Sequence, residues 1–182
     1  MDNVTFSLVI GHKEEKPGAC NDKHGICEFE FNKYLVLAVS KELDYIPHRV
    51  HFRRSYSELP SQINALDPGF IISFHCNAYN GSASGTEVLY YETSRKGKVI
   101  ADILNRELVK ALELRDRGIK PKSEEDRGGY LLKNTIAPCV ICEPFFIDND
   151  SDLERAQERR DDLVNAYVGG IHKIIANKDL II

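Results

Sequence analysis

The chain has 182 residues, 42% of them hydrophobic, with 24 Lys plus Arg against 28 Asp plus Glu and a formal charge of −4. That length and apolar content support one domain with a real core and exclude a disordered chain. The acidic balance argues against nucleic acid as a partner. No apolar run approaches the ~18 residues that span a bilayer, so no membrane insertion is expected.

Val4 to Ile10 reads as a buried first strand, ending at Gly11-His12. It lacks the basic and long apolar regions of a secretion signal. The five cysteines are Cys20, Cys27, Cys76, Cys139 and Cys142. An odd count in a chain this large does not suggest a disulfide framework, and folding in a reducing cytoplasm is expected. Lys13 to Gly25 is polar, contains Pro17 and Gly18, and reads as a loop.

From Glu28, Phe31, Leu35, Ala38 and Val39 recur at helical spacing, so a helix is predicted to about Leu43. Arg49 to Phe52 reads as a short strand. Ser57 to Leu66 reads as a helix that carries Pro60 in its first turn. Phe70 to Phe74 is a continuous apolar strand ending at His75, and Thr86 to Glu92 is another strand. Ser94 is placed to cap a helix whose Ile100, Ile103, Leu104, Leu108, Ala111 and Leu112 form one stripe.

Arg115 to Gly129 reads as a charged loop. Cys139 to Cys142 reads as a buried strand ending at Glu143. A long helix then starts at Ser151 or Asp152, with Leu153, Ala156, Leu163, Tyr167, Ile171 and Ile174 on one face. Strands alternating with helices predict an α/β three-layer sandwich: a mostly parallel or mixed sheet flanked by helices, in one domain over residues 1–182.

Ligands of such sheets bind outside the C-terminal ends of the strands. His12, His75 and Glu143 fall there, and Glu28 opens the helix that follows the His12 loop. Two imidazoles and one carboxylate with an open fourth position make a catalytic zinc site. Zinc brings the pKa of a coordinated water toward ~7 and polarises a carbonyl. A second carboxylate can then carry the proton to a leaving amine. His12, Glu28 and His75 are therefore assigned as ligands, with Glu30 competing for the place of Glu28, and Glu143 as general base and acid.

His24 is a possible substitute ligand in its loop. His48 and His51, three apart in an extended segment, face opposite ways and are read as structural or surface residues. His172 belongs to the last helix. The odd offset between Cys139 and Cys142 puts them on opposite faces of a strand, a poor metal knuckle.

Four segments together resemble the zinc-dependent N-acetylmuramoyl-L-alanine amidases of the amidase-3 type. Val9-Ile10-Gly11-His12 with Pro17-Gly18-Ala19 resembles the opening Gly-His and Pro-Gly-Ala. Glu28-Phe-Glu-Phe-Asn32 resembles the Glu-x-x-x-Asn segment that carries the carboxylate ligand, which favours Glu28 over Glu30. Ser73-Phe-His75-Cys-Asn77-Ala78 resembles the Ser-x-His-x-Asn-Ala signature. Arg117-Gly-Ile-Lys120, followed by Leu131, Thr135, Pro138 and Glu143, resembles the closing block with the catalytic Glu. Lys13-Glu14 replaces the Gly-Gly that often follows the first His. Arg54 stands near a Thr-Arg position of the family, Arg53 competes with it, and neither receives a role.

The resemblance implies hydrolysis of the amide between the lactyl group of N-acetylmuramic acid and L-alanine in peptidoglycan, with Zn²⁺ as cofactor and no covalent intermediate. Lys120 to Tyr130 is too short for the inhibitory helix that some relatives carry, which predicts a site open without an activator. No residues remain for a separate cell-wall-binding domain. The expectation is a monomeric endolysin-like lytic enzyme of phage, prophage or bacterial origin, made without a signal peptide and acting on the wall after release. The competing readings are a zinc peptidase acting on small peptides and a non-catalytic, zinc-stabilised wall-binding protein.

Overall fold

Three apolar runs build the centre of the sheet in a computed structural model that describes residues 5–177. They are β1 (Phe6–Ile10), β5 (Phe70–Phe74) and β8 (Cys139–Glu143). β5 pairs in parallel with β1 on one side and with β8 on the other. Strands covered on both faces read as unbroken apolar runs, which is why these three were visible in the sequence.

β4 (His48–Phe52) adds in parallel outside β1. β6 (Thr86–Tyr91) pairs antiparallel with β8, and β7 (Asp116–Lys122) closes the far edge in parallel with β6. The order β4-β1-β5-β8-β6-β7 makes a mixed sheet, as expected.

The strand alternation feeds two cores. Phe6, Leu8, Ile10, Phe70, Ile72, Phe74, Val140 and Cys142 point into the larger one. Its cover is α1 (Glu28–Glu42), α3 (Arg95–Leu112), α5 (Asp150–Glu158) and α6 (Arg160–Ala176). Val9, Ile71, Cys139 and Ile141 face the smaller core, under α2 (Leu59–Asn64) and α4 (Gly129–Asn134). Cys139 and Cys142 are thus on opposite faces, and both are free thiols.

Local chemistry sets the helix starts. The Ser94 hydroxyl accepts from the Gly97 amide and caps α3. Asn149 caps the next helix by accepting from the amides of Ser151 and Asp152, which moves its start ahead of the predicted Ser151 or Asp152. The single long helix expected there is two, α5 and α6, joined at Arg159, whose ψ of 32° leaves the helical range.

Two stretches read as loops contain strands. Asp116–Lys122 is an edge strand: half-buried except at exposed Asp116 and Pro121, it lacks the alternation that marks a strand, and its Pro121 is tolerated only at an edge. Within the Lys13–Gly25 loop, β2 (Cys20–Asn21) turns back to pair antiparallel with β3 (Ile26–Cys27). That pairing sets Cys20 opposite Cys27, and the two form a disulfide. The odd cysteine count, which suggests no disulfide framework, did not anticipate this pair; the bridge is local and is no framework. The first strand begins at Phe6, and Val4 lies outside the described residues. Among the described residues no helix is long and apolar enough to cross a membrane.

Candidate metal centre

Parallel β1, β5 and β8 end on one rim, so the residues at those ends are brought together by topology. His12 follows β1 with φ of 64°, a left-handed conformation that costs a non-glycine residue roughly 1–3 kcal/mol. Two glycines allow it. A Cβ on Gly11 would lie 2.7 Å from the His75 ring, and one on Gly18 would lie 2.6 Å from Glu28 Oε2 and 2.8 Å from the His12 ring. The chain closes around the imidazoles only because those side chains are missing.

Glu28 opens α1 and is fully buried. Its Oε1 lies 2.9 Å from His75 Nδ1 and accepts from the Cys76 amide at 3.1 Å. Its Oε2 accepts from the Ala19 amide at 3.2 Å and lies 3.1 Å from His12 Nε2. Burial opposes ionisation of Glu28, but the imidazoles of His12 and His75 outweigh it and hold the carboxyl far below the usual carboxylate range. Glu30, the competing acid, faces solvent.

One donor atom from each of His12, Glu28 and His75 lies within 4.8 Å of the others. Among the described residues this is the one cluster of His, Cys, Asp or Glu that could hold a metal ion. The donors fit a divalent cation. His12 Nε2 is buried and has no hydrogen-bond partner despite its nearness to Glu28. Ligand atoms ~2.0–2.1 Å from a tetrahedral ion sit about 3.4 Å apart, close to the separations found.

Glu143 ends β8 and lines the same cleft as His12 and His75. Burial pushes its carboxyl up to about 7; His75 and Arg127 pull it down, while Glu87 and Glu28 push it up. Among the described residues it has no salt bridge. Arg117 holds Glu87 through its Nε at 2.7 Å and stacks over Phe146. Asn77 donates to the other oxygen of Glu87 at 2.9 Å.

Residues 7–173 match the family Amidase_3, described as N-acetylmuramoyl-L-alanine amidase. The chain belongs to this family. It is 33% identical over 182 residues to YqiI of Bacillus subtilis, covering 94% of this chain and 84% of that protein. It is 26% identical over 163 residues to the N-acetylmuramoyl-L-alanine amidase LytC of Bacillus subtilis, covering 85% of this chain and 32% of LytC. It likewise spans 20% of a cell wall amidase of Bacillus anthracis and 42% of the endolysin of Bacillus phage SPP1, each matched over part of this chain. The crystal structure of an N-acetylmuramoyl-L-alanine amidase from Clostridium difficile 630 superposes with a TM-score of 0.85 at 19% identity, covering 97% of this chain and 100% of that one. That likeness establishes the amidase-3 fold.

Within that fold the remaining histidines lie outside the metal-competent cluster. His24 is 3.3 Å from Glu154. His48 stacks on Phe6 and lies 2.7 Å from Ser40 Oγ, whereas His51 reaches Ser7 on the opposite face. His172 contacts Tyr45. Cys76 is buried against Asn32. Arg53, Arg127 and the Glu87–Arg117 pair were not singled out by sequence reasoning as parts of the site. Arg53 follows β4 and Arg127 lies in the turn before α4, and the tertiary packing that brings both to the cleft is announced by no local pattern.

Proposed function

We propose that the chain is a zinc-dependent N-acetylmuramoyl-L-alanine amidase, with His12, Glu28 and His75 as metal ligands and Glu143 as general base and acid. The observation that carries this reading is the meeting of two imidazoles and a carboxylate within 4.8 Å, beside a second carboxyl held near neutrality in the same cleft. A bound zinc ion would supply Lewis acidity to the scissile carbonyl and make water acidic enough to react at neutral pH.

The chain's own residues do the rest. Glu28 is kept ionised, so it presents a negative charge to a cation at any physiological pH. Glu143 takes a proton from the attacking water and gives it to the amine nitrogen as the C–N bond breaks. Its carboxylate is regenerated, and no covalent bond to the protein is needed. Leu89, Leu131 and Ile141 line the cleft and keep water sparse around this transfer.

The short turn between β7 and α4 places Arg127 and Gly128 on the cleft wall and leaves no room for an inhibitory helix, which supports a site active without a partner. An endolysin-like role fits the partial match to a phage endolysin, and the Cys20–Cys27 disulfide suits an oxidising wall environment. On this reading the chain is a monomeric catalytic unit that holds peptidoglycan through the cleft and its loops.

Purified peptidoglycan tests the proposal. Zinc-loaded protein is expected to release free L-alanine amino groups without any activator, to lose this with a chelator and to regain it with zinc. Zinc at about 100 times its Kd should also add about 2.7 kcal/mol of stability, a rise of roughly 5–10 °C in Tm. Release of sugar reducing ends instead of amines, or no thermal response to zinc, would overturn it.

A further inference from the structure

We infer that Arg53 and Arg127 are specificity residues that grip the free carboxylate of the stem-peptide residue following L-alanine. This rests on the amidase reading above and names the part of the substrate that the cleft selects.

The cleft at His12, His75 and Glu143 has a volume of about 150 Å³. Pockets that enclose a whole ligand run ~300–1,000 Å³, so only the stretch around the scissile bond enters this one. Besides the catalytic cluster it offers apolar side chains and two guanidinium groups, those of Arg53 and Arg127. Several arginines elsewhere are neutralised: Arg117 pairs with Glu87, Arg155 and Arg159 with Glu113, and Arg106 with Asp102. Among the described residues no carboxylate lies within ion-pair distance of Arg53 or Arg127.

Arg53 is half-buried all the same. Burial pulls its pKa below the ordinary arginine value, and its guanidinium carbon lies over the Tyr56 ring, 5.1 Å from the centroid. Tyr56 in turn meets the Tyr130 ring at 5.5 Å, and the Tyr130 hydroxyl donates to the Ser57 carbonyl. These contacts tie the Arg53 segment to the segment that carries Arg127. The two cations therefore belong to one built rim, and what they lack is an anion.

The substrate supplies one. The sugar and the lactyl amide are uncharged, and the L-alanine methyl group suits Leu89, Leu131 and Ile141. The first anion along the stem is the α-carboxylate of the next residue, two residues or about 7 Å from the scissile carbonyl. A carboxylate accepts two parallel N–H bonds from a guanidinium, whereas a carboxamide presents one acceptor and an opposing donor.

Two muramoyl peptides of equal length, differing only in carboxylate or carboxamide at that position, test this. Zinc-loaded wild type is expected to favour the carboxylate roughly 10- to 100-fold in kcat/KM, chiefly through KM. Assayed above the pH limb of Glu143, Arg127→Gln should bring the ratio close to one chiefly through KM, Arg127→Lys should restore part of it, and Arg53→Gln should act in the same direction. Arg127 is exposed and unpaired, so its variants decide the matter even where Arg53→Gln unfolds. Equal rates on both substrates by wild type, or an unchanged ratio in Arg127→Gln, would overturn this inference while the amidase reading stands. No cleavage of either substrate would overturn both.

Discussion

Glu28 and Glu143 are two carboxyls in one cleft, and the protein drives them in opposite directions. Both pay for burial, which favours the neutral form. At Glu28 the imidazoles of His12 and His75 and the amides of Ala19 and Cys76 surround the oxygens, so the charge is kept. At Glu143 no hydrogen-bond donor or cation among the described residues is at contact distance, and Glu87 and Glu28 add like charge, so its proton is held up to about 7. On the proposed reading the difference is that of a ligand and a proton carrier, made from the same side chain by its neighbours.

The comparison breaks hardest at the ligand. Glu28→Gln should abolish zinc retention and with it all turnover, since it removes the one anion between the imidazoles. Elemental analysis after dialysis checks it, and full zinc content in the variant would refute the role. Glu143→Gln should keep zinc and the thermal response to it while losing roughly 10²- to 10⁴-fold in kcat. An unimpaired Glu143→Gln would instead favour a non-catalytic wall-binding protein.

The same contrast has a pH signature. A base must be ionised to act, so kcat/KM should fall as pH drops through the pKa of Glu143. That limb should stand at or below about 7, because a cation held by His75 would, with Arg127, favour the ionised form. Glu87→Gln removes a like charge and should move the limb to lower pH; Arg127→Gln should move it higher. A limb that stays put in both variants would mean that another group is titrating.

Some of this was legible in residue order. β1, β5 and β8 announced themselves because burial on both faces leaves no polar position, and His12, His75 and Glu143 were found as the residues where those runs stop. Glu28 and Glu30 could not be told apart by type. Two residues on a helix lie about 200° apart, so only one can face the centre, and the orientation of α1 chose Glu28. β7 stayed hidden because an edge strand needs no apolar alternation, and the Cys20–Cys27 pair because a two-residue ladder leaves almost no pattern. Arg53, just after β4, and Arg127, just before α4, meet at the cleft through long-range packing, which no window of sequence contains.

A smaller effect should reach one carboxylate and spare the other. The Cys20–Cys27 hairpin stands directly before Glu28, whose amide donates to the Ala19 carbonyl at 2.9 Å while the Ala19 amide donates to its side chain. Replacing both cysteines by serine frees a short loop and should cost about 2 kcal/mol, or roughly 4–8 °C in Tm. Zinc affinity should weaken because Glu28 loses its support, whereas the pH limb assigned to Glu143 should not move. A shift of that limb would show that the two ends of the cleft are coupled through the hairpin.

The smallest effect lies outside the cleft, at an imidazole with no carboxylate to meet it. Burial, helped by the nearby Arg49 charge, lowers the pKa of His51 to about 4, against an unfolded value of about 6.5. Between those values the unfolded chain binds more protons, so stability should rise with pH from about 4 to 6.5 and be lost on acidification through that window. His51 is partly open to solvent, which limits its share to about 1–2 kcal/mol. Denaturant melts of wild type and His51→Gln across that range check it: the variant should show the shallower slope, and parallel curves would assign the acid sensitivity elsewhere. His51 differs from the imidazoles of the metal centre in what it faces, for Ser7 offers a hydroxyl where Glu28 offers a charge. An acid at position 7 should then raise the His51 pKa and reverse the sign of its contribution, turning a group that weakens the fold in acid into one that strengthens it.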